Sequence, residues 1–297
     1  MADNIEKNSQ LVKAKTSSLQ RISSNIVSRG LSDLALLDVE KAKIADESQA
    51  REWFKTEEGY YFNKEYDKAI KAFTSAITLN PNYAQAYNFR GNAYLDKGQT
   101  DRAIEDYNKA IQIDPNFAGA YNNRGTAYHR KGQYDRAIED CNKAIQIDPN
   151  NSNFYYIRGK AYYYRGQYDR AIEDFNKESQ IDPNDAFAYY IRGQAYRRKG
   201  QYDRAIEYYN KAIQISPDDP SLYYVRGIAY YDKGQTDRAI EDCNKAIALA
   251  PDAGYVYNKR GSFYNSKGQY DRAISDFQKA CDLGVELGCE NLQKALR

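Results

Sequence analysis

The chain has 297 residues, and 43 Lys+Arg against 41 Asp+Glu leave a net charge of +2, which excludes a global pull toward nucleic acid or an anionic membrane. Hydrophobic residues make up 42%, enough for a packed core, but 30 are Tyr beside one Trp and one Met; tyrosine packs its ring and keeps its hydroxyl near water, which suits a thin, elongated fold. The four cysteines, Cys141, Cys243, Cys281 and Cys289, form no CxxC pair and no Cys/His cluster, so neither a zinc site nor a disulfide framework is predicted and reduced thiols are expected.

The chain begins MADNIEKNSQ, without the charged-then-apolar layout of a secretory signal, and Asp3 and Glu6 argue against a transit peptide. No run of about 18 apolar residues predicts a membrane span. A cytoplasmic location is therefore expected. Residues 1–48 divide at Gly30: Leu19, Ile22 and Ile26 suggest one amphipathic segment, and Leu34, Leu37 and Ile44 a second. The first stretch is Ser-rich, helical or partly disordered, and the region is either a cap on the rest of the chain or a separate docking arm.

From residue 49 the chain repeats. Pro81, Pro115, Pro149, Pro183, Pro217 and Pro251 stand 34 residues apart, and so do Gly91 to Gly261, Gly98 to Gly268 and Ala69 to Ala273. A fixed period marks a solenoid, in which each repeat buries its apolar face against its neighbours. Each repeat reads as two helices. In the second, Tyr87, Gly91 and Tyr94 share one face of the first helix, and Gly98 ends it. Asp101 complements the dipole at the start of the second helix. Ala103, Tyr107, Ala110 and Ile111 form the inward face of that helix, and Asp114-Pro115 stops it. Seven repeats fall at 50–83, 84–117, 118–151, 152–185, 186–219, 220–253 and 254–287. The first carries Trp53 and Tyr60 in register but Glu57 and Lys64 where glycines would fall, and the last has Val285 in place of proline. Val285, Cys289, Leu292 and Leu296 then predict a capping helix at 288–297.

The recurring pattern Tyr-x2-Arg-Gly-x2-Tyr, then Ala-x3-Tyr/Phe/Cys and Pro, resembles that of the tetratricopeptide repeat family. The resemblance covers residues 49–287, about four fifths of the chain. It implies an all-α fold, a right-handed α-solenoid of seven helical hairpins with a C-terminal capping helix, and a concave groove lined by the first helices. Some family members grip a carboxylate through a Lys/Asn/Asn/Lys/Arg clamp. This chain departs from it, with Asn88 where the first lysine belongs and Asn153 and Ile157 in place of the final Lys and Arg.

Positions constant from repeat to repeat serve what all repeats share, namely folding. Arg90, Arg124, Arg158, Arg192, Arg226 and Arg260 read as partners of the acids sixteen residues on, Asp106, Asp140, Asp174, Asp242 and Asp276; Tyr208 breaks the scheme for Arg192. Tyr87, Tyr121, Tyr155, Tyr189, Tyr223 and Tyr257 read as core, Cys141 and Cys243 as buried fillers. Glu178 and Ser179 stand where other repeats place apolar residues, and a charge there is expected to loosen the packing. The varying positions of the first helices are the candidate partner-binding groove: His129, Arg130, Tyr156, Lys160, Tyr163, Tyr164, Tyr190, Gln194, Arg197, Arg198, Tyr224 and Tyr231. No acid enters this set until Asp232, so a basic and aromatic groove is expected, fitted to an acidic or aromatic protein segment.

No catalytic constellation competes with that reading: the periodic glycines serve the repeat and form no phosphate-cradling loop, and His129 has no evident Cys or Ser partner. A protein-interaction scaffold or adaptor, serving as a regulatory or assembly subunit with no cofactor and no metal, is the function expected. Single-stranded nucleic acid held by Tyr stacking beside Arg is one alternative, although the basic track is short. Self-assembly through residues 1–48 is another.

Overall fold

A computed structural model describes Tyr61 and residues 63–297. The predicted segments in residues 1–48, together with Trp53, Glu57 and Tyr60, lie outside the described residues. Two compact parts divide at Pro149/Asn150, where one of the periodic prolines falls. All described secondary structure is helical.

The N-terminal part holds α1 (Tyr66–Leu79), α2 (Ala84–Asp96), α3 (Thr100–Ile113), α4 (Ala118–Arg130) and α5 (Tyr134–Ile147). The C-terminal part holds α6 (Ser152–Tyr164), α7 (Tyr168–Ile181), α8 (Ala186–Arg198), α9 (Tyr202–Ile215), α10 (Pro220–Asp232), α11 (Thr236–Leu249), α12 (Gly254–Ser266), α13 (Tyr270–Asp282) and α14 (Glu286–Ala295). Within each part, first and second helices alternate as the repeat predicts, and each hairpin packs on the next.

The local causes are those read from the sequence. Gly98 takes φ +76°, and its turn is closed by Gln99 N–H donating to the Tyr94 carbonyl at 2.8 Å, the pattern that satisfies the last carbonyls of α2. Lys64 adopts φ +60° at the corresponding place in the first repeat, where it is the one described residue other than glycine with a positive φ; its β-carbon makes that conformation costly. The periodic prolines follow second helices that end one residue earlier in an extended residue such as Asp114 (φ −128°). Three first helices gain an additional cap: Asn151, Asp185 and Asp219 each accept a backbone N–H from the opening turn.

The core of each part is built of small residues and rings. Ala69, Ala103, Ala137, Ala171, Ala205, Ala239 and Ala273 are fully buried, as are Phe73, Tyr107, Phe175 and Tyr209. Burying a ring of this size stabilises by roughly 2–3 kcal/mol. These rings explain the glycines of the first helices. A β-carbon on Gly91 would lie 2.6 Å from the Tyr107 ring, and one on Gly193 would lie 2.5 Å from that of Tyr209. Cys141 and Cys243 are buried fillers as expected, and burial pushes the Cys243 thiol up to about 12. The tyrosines assigned to the core divide: Tyr155 and Tyr223 are buried, whereas Tyr87, Tyr121, Tyr189 and Tyr257 are half-buried beside the periodic arginines.

The capping region corrects three expectations. The helix starts at Glu286, two residues earlier than predicted. Leu296 is 66% exposed and does not join the Val285, Cys289, Leu292 stripe, because α14 ends before it. Cys281 and Cys289 form a disulfide, with Cα atoms 4.6 Å apart, so these two thiols are not free. The turn at Gly284 (φ +81°) folds α14 back on the end of α13 and brings together cysteines that a linear spacing of eight does not pair.

Candidate functional site

The periodic arginines are structural. Arg90, Arg124, Arg158, Arg226 and Arg260 each make a two-pronged contact with the acid sixteen residues on, at 2.6–2.9 Å. Arg90, Arg124, Arg226 and Arg260 also reach back to Thr74, Asn108, Asn210 and Asn244 on the preceding repeat. One guanidinium thereby joins three helices. Burial lifts the carboxyls of Asp106, Asp140, Asp174 and Asp242 above their usual range despite the adjacent cation. Such pairs fix helix register more than they add net stability. A second ladder runs beside them: Lys97 pairs with Asp67, Lys131 with Asp101, Lys199 with Asp169, Lys233 with Asp203 and Lys267 with Asp237. Asp101 therefore does more than complement the dipole of its helix. The thirty-residue spacing from each Asp to the next repeat's Lys was the signal that reveals the ladder.

With the periodic charges consumed, the varying positions remain. His129 and Arg130 lie at the end of α4 in the N-terminal part. The His129 ring, half-buried, meets Tyr134 edge-on with centroids 5.5 Å apart. Arg130 donates to the Leu95 carbonyl at 2.9 Å and approaches Asp96 at 3.5 Å. Its charge belongs partly to the fold.

The other candidates share the C-terminal part, on α6, α8 and α10. Aromatic rings connect them. Tyr156 meets Phe187 at 5.9 Å, Phe187 meets Tyr190 at 5.2 Å, and Tyr190 lies 6.4 Å from Tyr209 beneath. Tyr163 sits edge-on to Tyr164 at 5.3 Å. Tyr224 meets Tyr255 of α12 at 5.0 Å, and Tyr231 stacks on Phe263 at 4.5 Å. Tyr164 is 55% exposed, Phe187 47% and Tyr255 43%, so this face offers aromatic surface to solvent. Phe187 and Tyr255 were not among the residues singled out; their place in the repeat, one step after the helix start, was the available signal.

The expected basic character is reduced. Arg197 Nη1 donates to Asp232 at 2.7 Å across α8 and α10. Lys160 lies over the Tyr156 ring at 5.1 Å, and Arg198, exposed, lies beside the Tyr163 hydroxyl, which raises its pKa. Gln194 donates to the Tyr190 hydroxyl at 3.2 Å. The face is aromatic first and cationic second.

One repeat departs from the scaffold scheme beneath this face. Arg192, lacking an acid at position 208, stacks on the Tyr208 ring at 3.8 Å, contacts Tyr189 at 4.8 Å and donates to Asn176 at 2.7 Å, while its buried Nε has no hydrogen-bond partner. Burial lowers its pKa. Glu178 is 2% exposed and accepts from Ser179 at 3.2 Å. Its carboxyl is pushed up to about 7, first by burial and then by Asp185; the Ser179 hydroxyl and Arg192 oppose the rise.

Among the described residues no group of three His, Cys, Asp or Glu side chains could hold a metal, and no helix is long and apolar enough to cross a membrane.

Family models agree with this architecture. A model of the TPR repeat matches residues 60–98, 91–132, 159–199 and 193–234, and models of the tetratricopeptide repeat match 118–151, 220–253, 141–173 and 255–283. Among solved structures, MamA is 33% identical over 54% of this chain and 93% of its own, with a TM-score of 0.51. YrrB, described as a TPR protein with an unusual peptide-binding site, is 26% identical over 63% and 96%, with a TM-score of 0.53. A tetratricopeptide repeat protein from Parabacteroides merdae covers 84% of this chain and 100% of its own at 22% identity and a TM-score of 0.64, a likeness of fold alone. No curated protein matches the chain in sequence.

Proposed function

Because the chain belongs to the tetratricopeptide repeat family, whose stacked hairpins serve protein–protein interaction, we propose that it is a scaffold or adaptor that takes an extended partner segment along the face of α6, α8, α10 and α12. The observation that carries this reading is the set of exposed rings at Tyr164, Phe187 and Tyr255 on a face whose half-buried neighbours are also tyrosines. Tyrosine and arginine give much of the energy at protein interfaces, because a rigid ring buries a large area and still offers a hydroxyl. Pairing of Arg130 with Asp96 and of Arg197 with Asp232 leaves too few cations for a track of phosphates, which favours a protein segment over a nucleic-acid strand. The peptide-binding site named for YrrB is consistent with such use of the fold.

The test is selection of short random displayed peptides on the full chain, followed by affinity measurement. The double substitution Tyr190→Ala with Tyr224→Ala is expected to weaken the selected peptides by about a hundredfold, as loss of interface anchors does. Tyr270→Ala, on α13 where the ring is 62% exposed, is expected to leave affinity unchanged. Equal affinity for all three chains contradicts the proposal.

A further inference from the structure

Beneath the aromatic face, next to the departing Arg192, the repeat also leaves the buried hydroxyl of Tyr209 unused as a donor. Tyr209 is fully buried, and its hydroxyl proton finds no acceptor. The equivalent ring three repeats earlier shows what is missing: Tyr107 donates its hydroxyl to Asn92 at 2.8 Å. In the fifth repeat Gln194 stands in the place of Asn92, and its longer side chain carries the amide to Tyr190 instead. A buried donor without an acceptor is rare, because its desolvation is not repaid.

The charged groups nearest this hydroxyl are cations. Arg197 approaches the Tyr209 oxygen as a donor and a cation, and its guanidinium already takes one carboxylate, that of Asp232. Arg198 stands exposed beside the Tyr163 hydroxyl. Tyr163 and Tyr190 both lie near enough to Tyr209 to influence it. Two guanidinium groups meet one acid here and the Tyr209 proton is unmet, so the cluster is short of one negatively charged acceptor.

We propose that this cluster of Tyr163, Tyr190, Arg197, Arg198 and Tyr209 seats the carboxylate of an Asp or Glu side chain in the partner segment. The proposal rests on the peptide-binding reading and names the chemistry of one contact within it. The incoming carboxylate displaces the Gln194 side chain, accepts from the Tyr209 hydroxyl and is neutralised by Arg198, while Arg197 remains shared with Asp232. Flanking aromatic or apolar residues of the segment lie on Tyr164 and Phe187. The contact differs in position and residues from the family's carboxylate clamp, which this sequence lacks.

The experiment uses peptides selected on the full chain from a random displayed library, each paired with a synthetic copy in which the acid is replaced by its amide. Enrichment of an acid at one fixed position is expected, and the amide copy is expected to bind about tenfold or more weakly, as loss of a charge-assisted hydrogen bond requires. Tyr209→Phe is expected to weaken the acidic peptide about tenfold and leave the amide copy nearly unchanged. The same substitution is expected to raise the Tm of the free chain by about a degree or more, since it removes an unpaired buried hydroxyl; a merely structural role predicts a fall. Arg198→Gln is expected to abolish the preference for the acid. Peptides that ignore both Tyr209→Phe and the acid-to-amide change, yet are lost with Tyr190→Ala and Tyr224→Ala, overturn the carboxylate seat and leave the aromatic face standing. Peptides that bind the Tyr190/Tyr224 variant as tightly as the parent, or a selection that enriches nothing, overturn both.

Discussion

At the residue scale the informative positions are those that break the repeat. Arg192 faces Tyr208 where every other described repeat with this arginine offers Asp, so a cation–π stack at 3.8 Å replaces an ion pair. Glu178 brings a buried carboxylate to the same neighbourhood, among Ser179, Asp182, Asp185, Tyr156 and Arg192. Its pKa rises from 4.5 to about 7 on folding. A raised carboxyl adds stability that is fully present below its unfolded pKa and is lost as pH climbs through the folded value, because the folded chain binds the extra proton in between. Between pH 5 and pH 8 this group is therefore expected to cost about 2 kcal/mol of stability. Urea unfolding of Glu178→Ala beside the parent checks it: the variant is expected to lose that pH dependence and to be the more stable of the two at pH 8. A parent more stable than the variant at pH 8 contradicts this account. The oddity of Glu178 was legible in the sequence, and so was the missing acid at Tyr208. What the two share was not, since it depends on helices whose approach the spacing does not fix.

At the element scale the hairpin rests on a ring pressed against a glycine. Gly91 on the face of the first helix and Tyr107 on the inward face of the second are both legible from spacing, and the structure presses the two together, the Tyr107 ring filling the place of a β-carbon on Gly91. The packing predicts unequal costs for one substitution made in different repeats. Gly193→Ala puts a β-carbon 2.5 Å from the Tyr209 ring, whereas Gly125→Ala meets the Cys141 sulfur at 3.2 Å and the Ala137 carbonyl at 3.3 Å. Overpacking of the first kind costs about 2 kcal/mol or more. The second is softened by the roughly 1 kcal/mol that alanine gains over glycine inside a helix. Thermal unfolding of the two variants is expected to show a clear loss for Gly193→Ala and little change for Gly125→Ala; equal losses contradict the ring-on-glycine packing. The C-terminal cap shows the opposite limit of sequence reading. Its helix was expected, but the Cys281–Cys289 link was not, because a spacing of eight reads as two positions on helices until the turn at Gly284 is known.

At the scale of the whole molecule, the period of 34 made nearly all of the described architecture readable, since proline, glycine and alanine each mark a backbone event that recurs in register. The Arg–Asp pairs came from the same logic, being constant. The binding face was not so fully readable. Its residues vary by nature, and whether a cation is available depends on side-chain pairings such as Arg197 with Asp232, which no spacing rule announces. The central claim is that an extended partner segment lies on the aromatic face of α6, α8, α10 and α12. Tyrosine footprinting by mass spectrometry, with and without a peptide selected on the full chain, tests it most directly. Protection of Tyr163, Tyr164, Tyr190 and Tyr224 is expected, with Tyr202 and Tyr270 labelled equally in both samples. Protection confined to Tyr202 and Tyr270, with the four groove tyrosines unaffected, would contradict it.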